Sequence, residues 1–111
     1  MDNKTFVTHA VEEKRELLLS LSDQIFDFAE IDFHEFKSAA LYEKILKEEG
    51  FRVEMGIDSM PTAFKASYGE GNPVIGFLAE YDALPDLSQK GGCTVRKPAE
   101  GDNPNGHGCG H

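Results

Sequence analysis

The sequence predicts an α/β fold with a mostly parallel central sheet flanked by helices, left incomplete at one side. Three observations carry this. The first half places apolar residues three, four or seven apart, as amphipathic helices do. After Gly50 the period changes to two, the signature of half-buried strands. Residues 74–79 then form a continuous apolar run (Val74, Ile75, Gly76, Phe77, Leu78, Ala79), which fits a strand buried on both faces. No helical pattern follows that run to cover it, so the sheet is expected to be open.

Taken in order, residues 8–29 read as one helix. Val11, Leu18, Leu21, Ile25 and Phe28 share a face, Thr8 can cap the start, and Glu12 and Glu13 suit the positive end of the helix dipole. This stripe is a core-packing face. Residues 31–37 are a connection containing His34 and Glu35, both weak candidates for function. A second helix is expected over 38–49, with Ser38 as cap, Ala39, Tyr42, Ile45 and Leu46 as its apolar face, and Gly50 as terminator. Phe51, Val53 and Met55 define one strand, and Phe64, Ala66 and Tyr68 another. Residues 69–73 form a turn. Beyond Glu80 the chain is rich in glycine and proline and loses periodicity; a loop this long is usually functional or disordered.

The 111 residues suffice for one small domain, and a composition of 40% hydrophobic and 28% charged residues is ordinary for a globular protein. A formal net charge of -9 disfavours nucleic acid and anionic membranes as partners. No segment approaches the ~20 apolar residues that span a bilayer, and residues 1–10 contain no hydrophobic signal core, so a cytoplasmic location is expected. Cys93 and Cys109 are too few for a disulfide scaffold. Cys93 reads as a free thiol. No phosphate-binding loop, serine-nucleophile motif or basic stripe is present.

Two places carry candidate chemistry. In Asn105-Gly106-His107-Gly108-Cys109-Gly110-His111, thiolate and imidazole donors alternate with glycines. Such donors suit zinc and related divalent metals, and glycine lets a loop turn tightly around an ion. The plain alternative is a flexible tail with incidental histidines. Two or three donors are too few for a closed structural site, so an ion here would be open or completed elsewhere. Glu80 and Asp82 sit at the carboxyl end of the expected buried strand, where α/β proteins place functional groups. They could bind metal, act as acid or base, or orient a neighbouring ligand; equally, they could only solvate the strand end.

Residues 73–85, Pro-Val-Ile-Gly-Phe-Leu-Ala-Glu-Tyr-Asp-Ala-Leu-Pro, followed by Gly106-His107-Gly108-Cys109-Gly110-His111, resemble the metal-dependent amidohydrolases and peptidases of the aminoacylase and carboxypeptidase type. The likeness is to the branch with cysteine in its metal site. Residues 33–39 and 50–53 fit the same family. The resemblance implies that 1–111 is the N-terminal portion of a catalytic domain, without the family's lid and dimerisation domain. It implies that Cys109 and His111 ligate manganese or zinc, that His107 belongs to the motif without being a direct ligand, and that Asp82 supports the site. Glu80 lies where distant relatives place a histidine ligand. The family's catalytic glutamate and two further histidine ligands fall after His111. The implied reaction is hydrolysis of an amide in a small N-acyl or N-aroyl amino acid or dipeptide, by an oligomeric full-length enzyme, with this chain inactive alone. The alternative is a non-catalytic metal-binding or interaction module derived from that family.

Overall fold

A computed structural model describes residues 1–110. The chain opens with α1 (Asn3–Glu13), earlier than the predicted start. Asp2, not Thr8, is the cap: its carboxylate accepts the Thr5 N–H at 2.7 Å, while the Thr8 hydroxyl donates to the Lys4 carbonyl. The predicted single helix is two. Lys14 interrupts it with φ -94 and ψ 3, its N–H turned back to the Val11 and Glu12 carbonyls, and α2 (Arg15–Phe28) follows. No residue of α1 is buried, so little tertiary packing holds the two segments in line.

The α2 helix ends on Ala29 in the left-handed region at φ 43, a conformation that costs an alanine where glycine would be at ease. The chain then turns into α3 (Phe36–Glu48). Ser38 is not the cap of this helix. It is fully buried in the first turn, and the capping group is the Glu30 carboxylate. Glu30 Oε1 accepts the Ser38 N–H at 2.7 Å and the Ser38 hydroxyl at 2.8 Å; Oε2 accepts the Lys37 N–H at 3.0 Å. An acidic group at a helix N-terminus satisfies orphan amides and meets the positive end of the dipole. At the other end Gly50 terminates α3 as expected. With φ 92 it lets its own N–H reach Lys47 O and the Phe51 N–H reach Leu46 O, the paired bonds of a Schellman closure.

Strands β1 (Arg52–Met55) and β2 (Phe64–Ser67) pair antiparallel, from Arg52 opposite Ser67 to Met55 opposite Phe64. Their connection includes a short 3-10 turn, Ile57–Ser59. Alternating exposure along β1 agrees with its period of two. The structure is therefore helices plus a small sheet, compatible with α/β, but the sheet is antiparallel and two-stranded. The only parallel pairing among the described residues is a single bridge between Ile31 and Ala83.

The expectation for 74–79 fails. The segment is not a strand, and Val74, Ile75, Phe77 and Leu78 are 85%, 73%, 95% and 98% exposed. An apolar run is only a composition; burial requires neighbours, and no backbone hydrogen bond to another segment reaches this one among the described residues. The buried apolar residues are Ile25, Ala29, Ala39 and Ala83, a small core at the junction of α2, α3 and the loop after Tyr81. The radius of gyration, 16.2 Å, exceeds the ~13 Å of a compact domain of this length. No described helix is long and apolar enough to cross a membrane.

Because Glu30 alone supplies the cap of α3, Glu30→Ala should destabilise the fold by about 1–2 kcal/mol. Urea titration followed by circular dichroism measures this; an unchanged midpoint would contradict the role.

Candidate functional site

The loop that carries the candidate residues is seated on the end of α2. Ala83 donates to the Glu30 carbonyl at 2.7 Å, which starts the loop beside Ile31. Leu84 and Gly106 exchange backbone bonds of 2.9 and 3.0 Å, and Ser88 donates to Pro104 O at 3.0 Å. Residues 84–88 thus run against 104–106. Two glycines of the His-Cys-His motif, Gly106 and Gly108, have a packing reason here. A Cβ on Gly106 would lie 2.0 Å from the Leu87 carbonyl oxygen, and one on Gly108 would lie 2.5 Å from Leu87 Cδ1. The first neighbour is backbone and cannot step aside; the second is a side-chain end and can.

Two side chains close the seat from above. Carbonyls at the end of an α-helix run out of intrahelical donors, although that of Ile25 still accepts the Ala29 N–H at 3.2 Å. Asn103 donates from Nδ2 to the Phe28 and Ala29 carbonyls at 3.2 Å each, and His107 Nε2 lies 3.0 Å from the Ile25 carbonyl. A carbonyl only accepts, so the proton of His107 is on Nε2 in this arrangement. The imidazole stacks on Phe26 with ring centroids 6.4 Å apart. Between the two arms, Gln89 clasps the loop's tip: its carboxamide donates to Val95 O at 3.0 Å and accepts the Lys97 N–H at 3.2 Å, beside a 2.7 Å bond from Lys90 N to Lys97 O. Cys93 sits half-buried within this tip.

A buried polar chain fixes the segment just before the loop. Glu35, 8% exposed, accepts the Phe33 N–H at 3.0 Å and the Thr62 hydroxyl at 2.6 Å. The Tyr81 hydroxyl donates to the Thr62 carbonyl. The Tyr81 ring packs against Tyr42 at 5.2 Å and Phe64 at 5.9 Å. Burial, and then the nearby Glu35 charge, pushes the Tyr81 phenol up to about 12. Burial also raises Tyr42. Tyr81 therefore ties the Glu80-Tyr81-Asp82 motif to the β-hairpin and to the start of α3.

The sequence-derived candidates fall unevenly. Asp82 is half-buried and Glu80 exposed, flanking the fixed Tyr81. Cys109 is exposed with a free thiol. His111 lies outside the described residues. Among the described residues no three His, Cys, Asp or Glu side chains gather as a metal-holding group. Thiolate and imidazole suit manganese or zinc in kind; among the described residues, Cys109 and His107 do not by themselves make a four-donor set. Two surface depressions, of ≈ 370 and ≈ 390 Å³, lie along the loop and against the end of α2, and neither is lined by Asp82 or Cys109. Sequence reasoning does not single out Glu30, Thr62 or Asn103. Glu30 acts across eight residues and Asn103 across more than seventy, beyond any local capping pattern.

The chain is 45% identical over 109 residues, 96% of its length, to one of the subunits of the p-aminobenzoyl-glutamate hydrolase of Escherichia coli (strain K12). Identity at this level over nearly the whole chain makes the two homologous and bears out the resemblance read from the motifs. The chain spans 22% of the length of that relative. No protein-family model matches it, and no solved structure does.

Two outcomes follow from this geometry. Gly106→Ala should unseat the loop at a cost of about 1–3 kcal/mol, seen as faster hydrogen exchange at the Leu84 amide; unchanged exchange would remove the packing argument. The neutral Tyr81 phenol is favoured by the fold, so its contribution is intact below pH 10.0 and is lost as pH climbs toward about 12. Tyrosinate absorbance should show a late phase that Tyr81→Phe abolishes; persistence of that phase would reassign it.

Proposed function

We propose that this chain is the part of a metal-dependent amidohydrolase that contributes two ligands, Cys109 and His111, and the supporting carboxylate Asp82. The observation that carries the reading is the 45% identity to the p-aminobenzoyl-glutamate hydrolase subunit along 96% of the chain, a span that takes in the motif at 80–82 and reaches into that at 106–111. The bond cleaved would be the amide of an N-acyl or N-aroyl amino acid, of the p-aminobenzoyl-glutamate kind, or of a dipeptide.

In this reading Cys109 offers a thiolate and His111 an imidazole to manganese or zinc. A bound ion supplies Lewis acidity toward an amide carbonyl. This chain's own contribution is positional. The Tyr81–Thr62–Glu35 connection sets where Asp82 stands, and the packing of Gly106 and Gly108 on Leu87 sets where Cys109 leaves the loop. His107, engaged with the end of α2, acts as a fastener and not as a direct ligand. Glu80 is kept as a neighbouring carboxylate without an assigned step. The remaining ligands and the glutamate base come from polypeptide beyond these residues, as does the parallel sheet of the family's catalytic domain. The relative is named a subunit, so assembly of more than one chain belongs to the reading, as does a cytoplasmic setting.

A second reading, a non-catalytic module, is favoured by one observation: Asn103, His107 and Leu87 seat the loop on the end of α2, so the loop's hold on the fold does not call on Asp82 or Cys109. Two measurements separate the readings. In the E. coli relative, replacing the Cys and His that correspond to Cys109 and His111 by Ala should lower metal content and activity roughly 100-fold or more; unchanged metal stoichiometry would defeat the ligand assignment. The purified 111-residue chain, given manganese or zinc and p-aminobenzoyl-glutamate, should show no turnover above the metal-only blank. Turnover abolished by Cys109→Ala would mean that this chain itself contains the base.

A further inference from the structure

Phe33 stands where the backbone favours a glycine. The His34 N–H returns to the Ile31 carbonyl at 3.0 Å, so Asp32 and Phe33 are the central residues of a tight turn. Phe33 takes φ 61 there, a left-handed conformation that glycine or asparagine adopts readily and a bulky side chain only at a cost. The other non-glycine residues with positive φ among the described residues are Ala29, Asp58, Ser59 and Asp86, all small or polar. The Phe33 ring gains little from the fold in return. It is 60% exposed, and it stacks on no other ring among the described residues. Strain that packing does not offset points to a use outside packing.

The turn is also fixed in place. The Phe33 N–H donates to one oxygen of Glu35 at 3.0 Å. The other oxygen accepts the Thr62 hydroxyl, and the Thr62 carbonyl receives the Tyr81 hydroxyl. On the other side of Phe33, Ile31 bridges to Ala83, whose N–H donates to the Glu30 carbonyl. Tyr81 and Ala83 are the two residues that flank Asp82. The turn that bears Phe33 is therefore gripped at both ends by the neighbours of the supporting carboxylate.

We infer that Phe33 is a specificity-determining residue of the hydrolase, and that its ring receives the aromatic ring of an N-aroyl amino acid. This rests on the amidohydrolase reading and selects among the substrate classes that reading leaves open: N-aroyl amino acid, N-acyl amino acid or dipeptide. An aromatic ring set against another, offset or edge-on, gains more than its buried area alone supplies. A small aliphatic acyl group offers no such face. Phe33 touches the part of the substrate that does not react, so it contributes equally to substrate and transition state. Its effect belongs in KM and not in kcat.

The test uses the intact E. coli relative with the position aligned to Phe33 set in turn to Phe, Leu and Gly. The substrate is p-aminobenzoyl-glutamate, and its two hydrolysis products, p-aminobenzoate and glutamate, serve as inhibitors. Relative to Phe, both Leu and Gly should raise KM roughly 3- to 10-fold and leave kcat unchanged. Inhibition by p-aminobenzoate should weaken by the same factor, and inhibition by glutamate should not change. Leu keeps an apolar side chain, so it separates the aromatic contact from simple packing. Unchanged KM and unchanged p-aminobenzoate inhibition in both variants would overturn the inference, since the ring would then not meet the substrate. Equal weakening of both inhibitors, together with a lowered melting temperature, would overturn it in favour of a packing role. Failure of the ligand assignment would appear elsewhere, in the metal content of the Cys and His variants described above, which the Phe33 position does not enter.

Discussion

Glu30 is the residue on which the remaining structure turns. Its carboxylate caps α3 through Lys37 and Ser38, and its carbonyl receives Ala83, the first residue of the long loop. The same residue follows Ala29, whose left-handed backbone is what allows α2 to end and the chain to double back. A helix start, a helix end and a loop root therefore share one dipeptide. Each bond is modest, about 1 kcal/mol net, but they are not independent: moving Glu30 displaces all three elements together, and couplings of that kind are where additivity fails.

This concentration of bonding compensates for a small apolar core. Ile25, Ala29, Ala39 and Ala83 surround the Ala29–Glu30 junction, and three of the four are alanines. Small side chains permit close approach of backbones, and close approach makes the hydrogen bonds between α2, α3 and the loop possible. The surface ion pairs add little. Lys14–Glu49, Arg15–Glu12 and Lys65–Glu54 are largely exposed, the setting in which such pairs contribute about 0–1 kcal/mol.

How much the sequence discloses depends on how local each feature is. The end of α3 at Gly50 and the two strands of the hairpin are legible because glycine termination and period-two alternation act within a few residues. The break at Lys14 is not, since nothing in the residues around it forbids a continuous helix. Ser38 is a capping residue by type, but the true capping group lies eight residues earlier and arrives only when the chain folds back. The mismatch at 74–79 is of a different kind. Apolar composition reports what a segment requires, not what its surroundings supply. At the candidate site, the alternation of glycine with His107 and Cys109 is visible in the sequence, but its partner, Leu87, is not. His107 illustrates the same limit: a ring in a donor-rich motif is engaged by a helix carbonyl more than eighty residues away.

The clasp made by Gln89 divides the long loop into a stem and a tip. The stem, 83–88 against 103–107, is bound to α2; the tip between Lys90 and Lys97 is closed on itself. A closed tip transmits little of its own length to its base. Doubling a flexible loop adds only about 0.6 kcal/mol of closure entropy. Residues gained between 92 and 94, inside the clasp bonds to Val95 and Lys97, thus leave Asn103 and His107 where they are, and this stretch is the place where the chain can vary in length, or accept an inserted tag, without disturbing the register of the motif that follows.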